Sequence, residues 1–133
     1  MVRAAARIEE FKEGEMRVIK MDQISKEPVS DRLFTGPVTR QVLVPDSKEF
    51  NLNIVSFPKG VRNKYHAHDG EQILVITSGK GIVATETEEV VVTPGDIVLF
   101  SAGEKHWHGA TKESEFSHMY VSKIGSKLTQ FEP

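Results

Sequence analysis

From Met16 onward the chain alternates short apolar runs with clusters of turn residues. The runs are rich in Val, Ile, Phe and Thr, which favour extended backbone. They predict strands near Arg17–Met21, Val38–Val44, Leu52–Phe57, Asn63–Ala67, Gln72–Ser78, Gly81–Glu86, Glu89–Thr93, Ile97–Phe100, His106–Gly109 and Phe116–Ile124. Between them stand Pro45-Asp46, Pro58-Lys59-Gly60, Asp69-Gly70, Pro94-Gly95-Asp96 and Ala102-Gly103, the residues that turns need for fixed or positive φ. Ten short strands without a convincing interior helix predict an all-β domain, an antiparallel sandwich or barrel over residues 16–133. Residues 1–15 have another texture, rich in Ala, Arg and Glu with Ile8 and Phe11 three apart. They predict a short N-terminal extension, either helical or a loose arm.

Composition narrows the class. The 133 residues suffice for one domain with a core, and too few remain for a second. A formal net charge of -2 with scattered Lys and Arg gives no nucleic-acid footprint. With no cysteine there is no disulfide framework, thiolate metal site or Cys nucleophile, which fits a reducing cytoplasm. The first residues lack the apolar stretch of a secretory signal, and no apolar run approaches the ~20 residues of a membrane span. The expectation is a soluble, cytoplasmic domain.

The five histidines change the picture. His66 and His68 are two apart, so on a strand both face one way. His106 and His108 repeat that spacing, and His118 shares a strand face with Phe116 and Tyr120 in the run FSHMYVS. A barrel can bring these segments together inside. Imidazoles converging there have one economical explanation, a bound metal, because uncoordinated buried histidines each need a polar partner. Parity alone leaves open which neighbour faces them. Gln72 shares a side with Leu74 and Ile76, and Glu71 shares one with Ile73 and Val75. Trp107, between two histidines, faces the other way.

The segment from Gly60 through His66-Ala67-His68 and Gln72 to Gly79 resembles the first cupin motif, and Gly95 through Ser101-Ala102-Gly103 to His106 resembles the second. The departures are Gln72 where many cupins have Glu, Ser101 in place of proline, and Ala110 at a usual Asn position. The resemblance covers roughly Met16–Ile124 and implies a cupin jelly-roll barrel. FTGPV (Phe34–Val38), Gln72 and GEKHWHGAT (Gly103–Thr111) are similar to the small single-domain cupins that include manganese-dependent hydroxynitrile lyases. That resemblance implies metal ligands His66, His68, Gln72 and His106, and two further pocket histidines, His108 and His118.

Three imidazoles and an amide oxygen suit a first-row divalent ion, with Mn implied by the resemblance and Fe, Zn, Ni or Cu compatible with the donors. Four protein ligands in an octahedral shell leave two open positions, the mark of a catalytic site. A neutral amide in place of a carboxylate leaves the ion its full charge, which favours Lewis-acid and proton-transfer chemistry over oxygenation. His108 and His118 are the candidate acid and base, with His118 expected to be the base. The leading reading is therefore a small-molecule lyase, cyanohydrin cleavage or synthesis being the example. An oxygenase and a non-catalytic ligand- or metal-binding cupin are the alternatives. The resemblance to small cupins, which commonly pair through sheet edges, together with N-terminal β-runs able to cover an edge strand, implies a homodimer or higher homo-oligomer, with no nucleic-acid or membrane partner.

Overall fold

The predicted runs form eleven strands in two antiparallel sheets of a computed structural model that describes residues 14–133. Most of the expected N-terminal extension, with Ile8 and Phe11, lies outside the described residues. The strands are β1 (Glu27–Val29), β2 (Val38–Val42), β3 (Phe50–Phe57), β4 (His66–His68), β5 (Gln72–Gly79), β6 (Gly81–Thr85), β7 (Glu89–Val92), β8 (Ile97–Phe100), β9 (His106–Ala110), β10 (Phe116–Lys123) and β11 (Leu128–Gln130). One sheet runs β1-β2-β3-β10-β5-β8 and the other β11-β4-β9-β6-β7. Non-sequential neighbours such as β3–β10 and β4–β9 give the jelly-roll topology of a cupin barrel, in agreement with the expected fold class.

Alternation places the core. Along β5 the burial pattern puts Gln72, Leu74 and Ile76 inside, while Ile73 is exposed and Val75 half-buried. Leu74, Ile76, Val38, Val55, Phe57, Val83, Val92, Phe100, Ala110 and Phe116 form one buried apolar cluster between the sheets. Fully burying one such side chain stabilises a fold by roughly 1.5–3 kcal/mol, so this cluster carries the barrel. Phe57, Phe100 and Phe116 also pack against histidine rings, so the apolar core is the floor of the polar site.

Two expectations are corrected. Arg17–Met21 is not a strand, and Met21–Gln23 is a single turn of 3-10 helix. The apolar residues Met16, Val18 and Met21 in and beside it stay exposed. The segment is tied instead through the Gln41 side chain, whose Nε2 donates to the carbonyls of Ile24 at 2.9 Å and Met21 at 3.5 Å. The edge beside β2 is taken by β1, whose sequence EPV has too little alternation to announce a strand. Pro28 is tolerated there because an edge strand spares one row of donors. The second correction concerns Asn63–Ala67, where the ladder begins only at His66. Asn63 and Arg62 instead make isolated bridges to Phe34 and Gly109. β11, with the sequence LTQ, has no apolar signal and is held by pairing with β4.

Gly79 joins β5 to the turn before β6 with φ +74°, and a Cβ there would lie 1.8 Å from the Glu115 carbonyl oxygen. Gly60 has a similar φ of +75° but open space around its Cβ position. Gly60→Ala is expected to cost about 1 kcal/mol from the backbone conformation alone. Gly79→Ala adds a backbone collision and is expected to cost at least about 2 kcal/mol. Urea unfolding of the two variants checks the order, and equal losses would contradict this packing.

Candidate metal centre

β4 and β9 lie side by side, with His66 directly opposite His106 in the ladder. The backbone thus delivers three imidazoles to one point. The rings of His66 and His106 are 4.3 Å apart, those of His66 and His68 5.1 Å, and those of His68 and His106 5.7 Å. One ring nitrogen from each lies within 4.8 Å of the others. His106 stacks on Phe100 at 3.7 Å, which fixes its plane.

Hydrogen bonds then choose the nitrogens. His66 Nδ1 donates to the Lys64 carbonyl at 2.6 Å, and His106 Nδ1 donates to the Glu104 carbonyl at 2.8 Å. A carbonyl only accepts, so each Nδ1 carries the proton and each Nε2 presents a lone pair. His106 Nε2, His68 Nε2 and Gln72 Oε1 are buried with no hydrogen-bond partner. Orphaned buried acceptors are costly, roughly 1–3 kcal/mol each. A cation answers all of them at once, so the residues present fit a divalent ion. Gln72 is brought to the same cavity and is buried, whereas Glu71 is exposed, which settles the facing that parity left open.

His108 and His118 line the same cavity of about 300 Å³. Their rings lie 4.7 Å apart and nearly perpendicular. His118 is buried against Phe57 and Phe116, with neither ring nitrogen hydrogen-bonded. His108 is held by Asn63, a buried residue that pattern reading placed only in a strand. The Asn63 Oδ1 accepts the His108 backbone N–H at 2.7 Å. That obligate donor orients the amide, so Nδ2 faces the ring, 3.2 Å from Nε2. Two polar residues close in number, Asn63 and His66, were the available signal, but only the bridge between segments shows what Asn63 touches. Trp107 points away from the site, where the Arg62 guanidinium lies 4.5 Å from its ring centre.

Burial sets the charge state. Loss of hydration lowers the His66 pKa to about 3 and those of His106 and His118 to about 4, and it lowers His108 well below its ordinary value. Neighbouring imidazoles lower His66 and His108 further, while the carbonyl bonds of His66 and His106 act the other way. His68 is lowered chiefly by burial, opposed by Asp69. The site is thus a set of neutral imidazoles with lone pairs available for a cation or a proton.

Two antiparallel sheets enclosing such a three-histidine group define a cupin barrel able to hold a divalent metal. The chain belongs to the cupin family, and the family's cupin domain matches residues 53–121. The chain is 38% identical over 93 residues to the (R)-mandelonitrile lyase of Granulicella tundricola, covering 68% of this chain and 71% of that protein. The expected resemblance to the hydroxynitrile lyase group therefore holds. A cupin-like protein from Thermotoga maritima superposes with a TM-score of 0.73 at 30% identity, over 78% of this chain and 83% of its own. The polyketide cyclase RemF from Streptomyces resistomycificus shares the fold, with a TM-score of 0.80 at 14% identity over 90% of this chain and 87% of its own. Among the described residues no helix is long and apolar enough to cross a membrane.

The lowered pKa values fix a pH dependence for the metal-free protein. In the unfolded chain these rings take up protons near pH 6.5, and in the folded protein His118 does so only near 4. Between those values the unfolded state binds more protons, so stability rises with pH there. Stability is expected to be flat above pH 6.5 and to fall as pH drops from 6.5 toward 4. Urea unfolding of chelator-treated protein across this window checks it. His118→Phe, which removes one contributor, should give a shallower fall, and an unchanged slope would contradict the buried neutral state.

Proposed function

We propose that this cupin is a manganese-dependent lyase that makes and breaks the carbon–carbon bond between a small carbonyl compound and cyanide. The observation that carries the reading is the pairing of two things in one cavity. His66, His68 and Gln72 line it beside a buried, unpartnered base, His118, and His106, opposite His66 in the β4–β9 ladder, completes the neutral donor group. The likeness to an (R)-mandelonitrile lyase over 71% of that protein supports the reaction class.

In this reading His66, His68, Gln72 and His106 are the metal ligands. The ion, when bound, supplies Lewis acidity toward the substrate oxygen. His118 takes the hydroxyl proton of a cyanohydrin, which suits a neutral imidazole with both nitrogens free of protein partners. As the new C=O bond forms, the C–CN bond breaks and its electron pair leaves with cyanide. His108, oriented by Asn63 and 4.7 Å from the His118 ring, stands to bind the departing anion. The proton taken by His118 passes to cyanide, so aldehyde and hydrogen cyanide balance the cyanohydrin. Phe57 and the surrounding apolar side chains exclude water from the reacting carbon.

The protein is also proposed to act as a homodimer. Ile73, Ile97 and Leu99 form an exposed apolar patch on β5 and the edge strand β8, and a second copy would cover it. Light scattering at micromolar concentration should give twice the chain mass.

The central test separates binding from chemistry. His66→Ala and His106→Ala are expected to lose most bound manganese, because each removes a donor and the geometry. His118→Ala is expected to keep the metal and lose roughly 100- to 10,000-fold of cyanohydrin turnover, the range for a positioned base. Metal analysis of untagged protein beside release of aldehyde from mandelonitrile checks both. Retained metal in both ligand variants, or full turnover in His118→Ala, would refute the assignment.

A further inference from the structure

The same cavity has a second polar end that the lyase reading leaves without a task. β2 sits two strands from β10, and the ladders align Arg40 with Val55 and Val55 with His118. Arg40 is therefore on the inner face, in one row with the proposed base. At strand spacing of ~4.8 Å the two backbones are about 10 Å apart. Val38 and Val55 form the apolar wall along this stretch.

The Arg40 guanidinium makes no ion pair or hydrogen bond among the described residues. Glu27 stands opposite it in the β1–β2 ladder but does not pair with it. Asp31, which also lines the cavity, has its Oδ1 engaged by the Leu33 backbone N–H at 2.8 Å. Arg40, Asn51 and Tyr120 all line both this cavity and an adjoining one of about 340 Å³, so they mark the junction of the two. At that junction two hydroxyl groups stand beside the guanidinium. The Tyr120 hydroxyl accepts from Asn53 Nδ2 at 2.7 Å, so its own proton is spare. The Ser122 hydroxyl accepts from Asn51 Nδ2 at 3.3 Å, and its proton is spare too.

An uncommitted guanidinium beside spare hydroxyl protons is a seat for an anion, and a planar carboxylate matches the guanidinium fork. We infer that Arg40, helped by Tyr120, binds a carboxylate, so that the ligand of this site is a small hydroxy or carbonyl compound with an apolar body and a carboxylate remote from the histidines. The carbonyl half of that description rests on the proposed lyase function. The carboxylate half rests on Arg40 and its neighbours alone.

Binding without turnover keeps the two apart. Para-(hydroxymethyl)benzoate and benzyl alcohol differ only by the carboxylate, and calorimetric titration reads each against the full chain, both manganese-loaded and metal-free. The acid is expected to bind at least about tenfold tighter than the alcohol in both forms, as a charge-assisted hydrogen bond requires. Arg40→Leu should abolish that preference while benzyl alcohol binds as before. Arg40→Lys should keep part of it, and Tyr120→Phe should reduce it several-fold. Added salt should weaken the acid and not the alcohol. Arg40 is exposed, so its variants are expected to unfold at the wild-type temperature, whereas Tyr120→Phe takes the acceptor from the buried Asn53 Nδ2 and is expected to unfold lower. Equal affinities in the wild type would overturn the inference. So would a preference that survives Arg40→Leu, and one seen only with manganese would place the carboxylate on the ion. A failed cyanohydrin assay refutes the lyase reading and leaves these binding outcomes to decide the carboxylate seat.

Discussion

Two hydrogen bonds from imidazole to backbone organise this molecule. His66 and His106 each spend Nδ1 on a carbonyl two residues earlier, at Lys64 and Glu104. Each ring is thereby fixed in tautomer and in direction, with Nε2 turned to the same point. The ladder pairing of His66 with His106 makes the two bonds serve one site. A slip of one residue in that register would turn every side chain of β4 to the other face. The site therefore depends on register more than on any single side chain.

That register is held by little local structure. β4 has three residues, and a single pair joins it to β9. Its other edge is secured by β11, which pairs across all three residues. Beyond β11, Glu132 accepts the Tyr65 backbone N–H at 2.7 Å and forks onto Arg62, whose guanidinium lies against Trp107. An exposed ion pair contributes little to stability by itself. Here it also stitches the segment before β4, the C-terminal segment and β9 together. The chain end thus becomes part of the support of the histidine group.

The energetic balance of the cavity explains why its two ends differ. The histidine end is buried, neutral and rich in orphaned acceptors, which suits a cation. The Arg40 end is open to water and rich in donors. The apolar wall between them separates the two kinds of polarity. An unligated cluster of buried lone pairs costs free energy, and the aromatic floor of Phe57, Phe100 and Phe116 supports it by packing.

Nearly every strand of the barrel was legible from local alternation, because a strand with one buried face writes a period of two into its own residues. Gln72, Leu74 and Ile76 show this, and so do the paired histidines of β4 and β9. The resemblance to the two cupin motifs likewise implied His66, His68, Gln72 and His106 as a group. β1 and β11 were not legible, since EPV and LTQ are strands by virtue of the neighbours they pair with. Arg17–Met21 is rich in apolar residues and yet finds no ladder, and β1 occupies the edge beside β2. Asn63 and Arg40 read as ordinary polar residues until the fold set one across from His108 and aligned the other with Val55 and His118. Local pattern records which face of its own strand a residue occupies. What stands opposite that face depends on contacts between residues far apart in sequence, and those only the folded barrel decides.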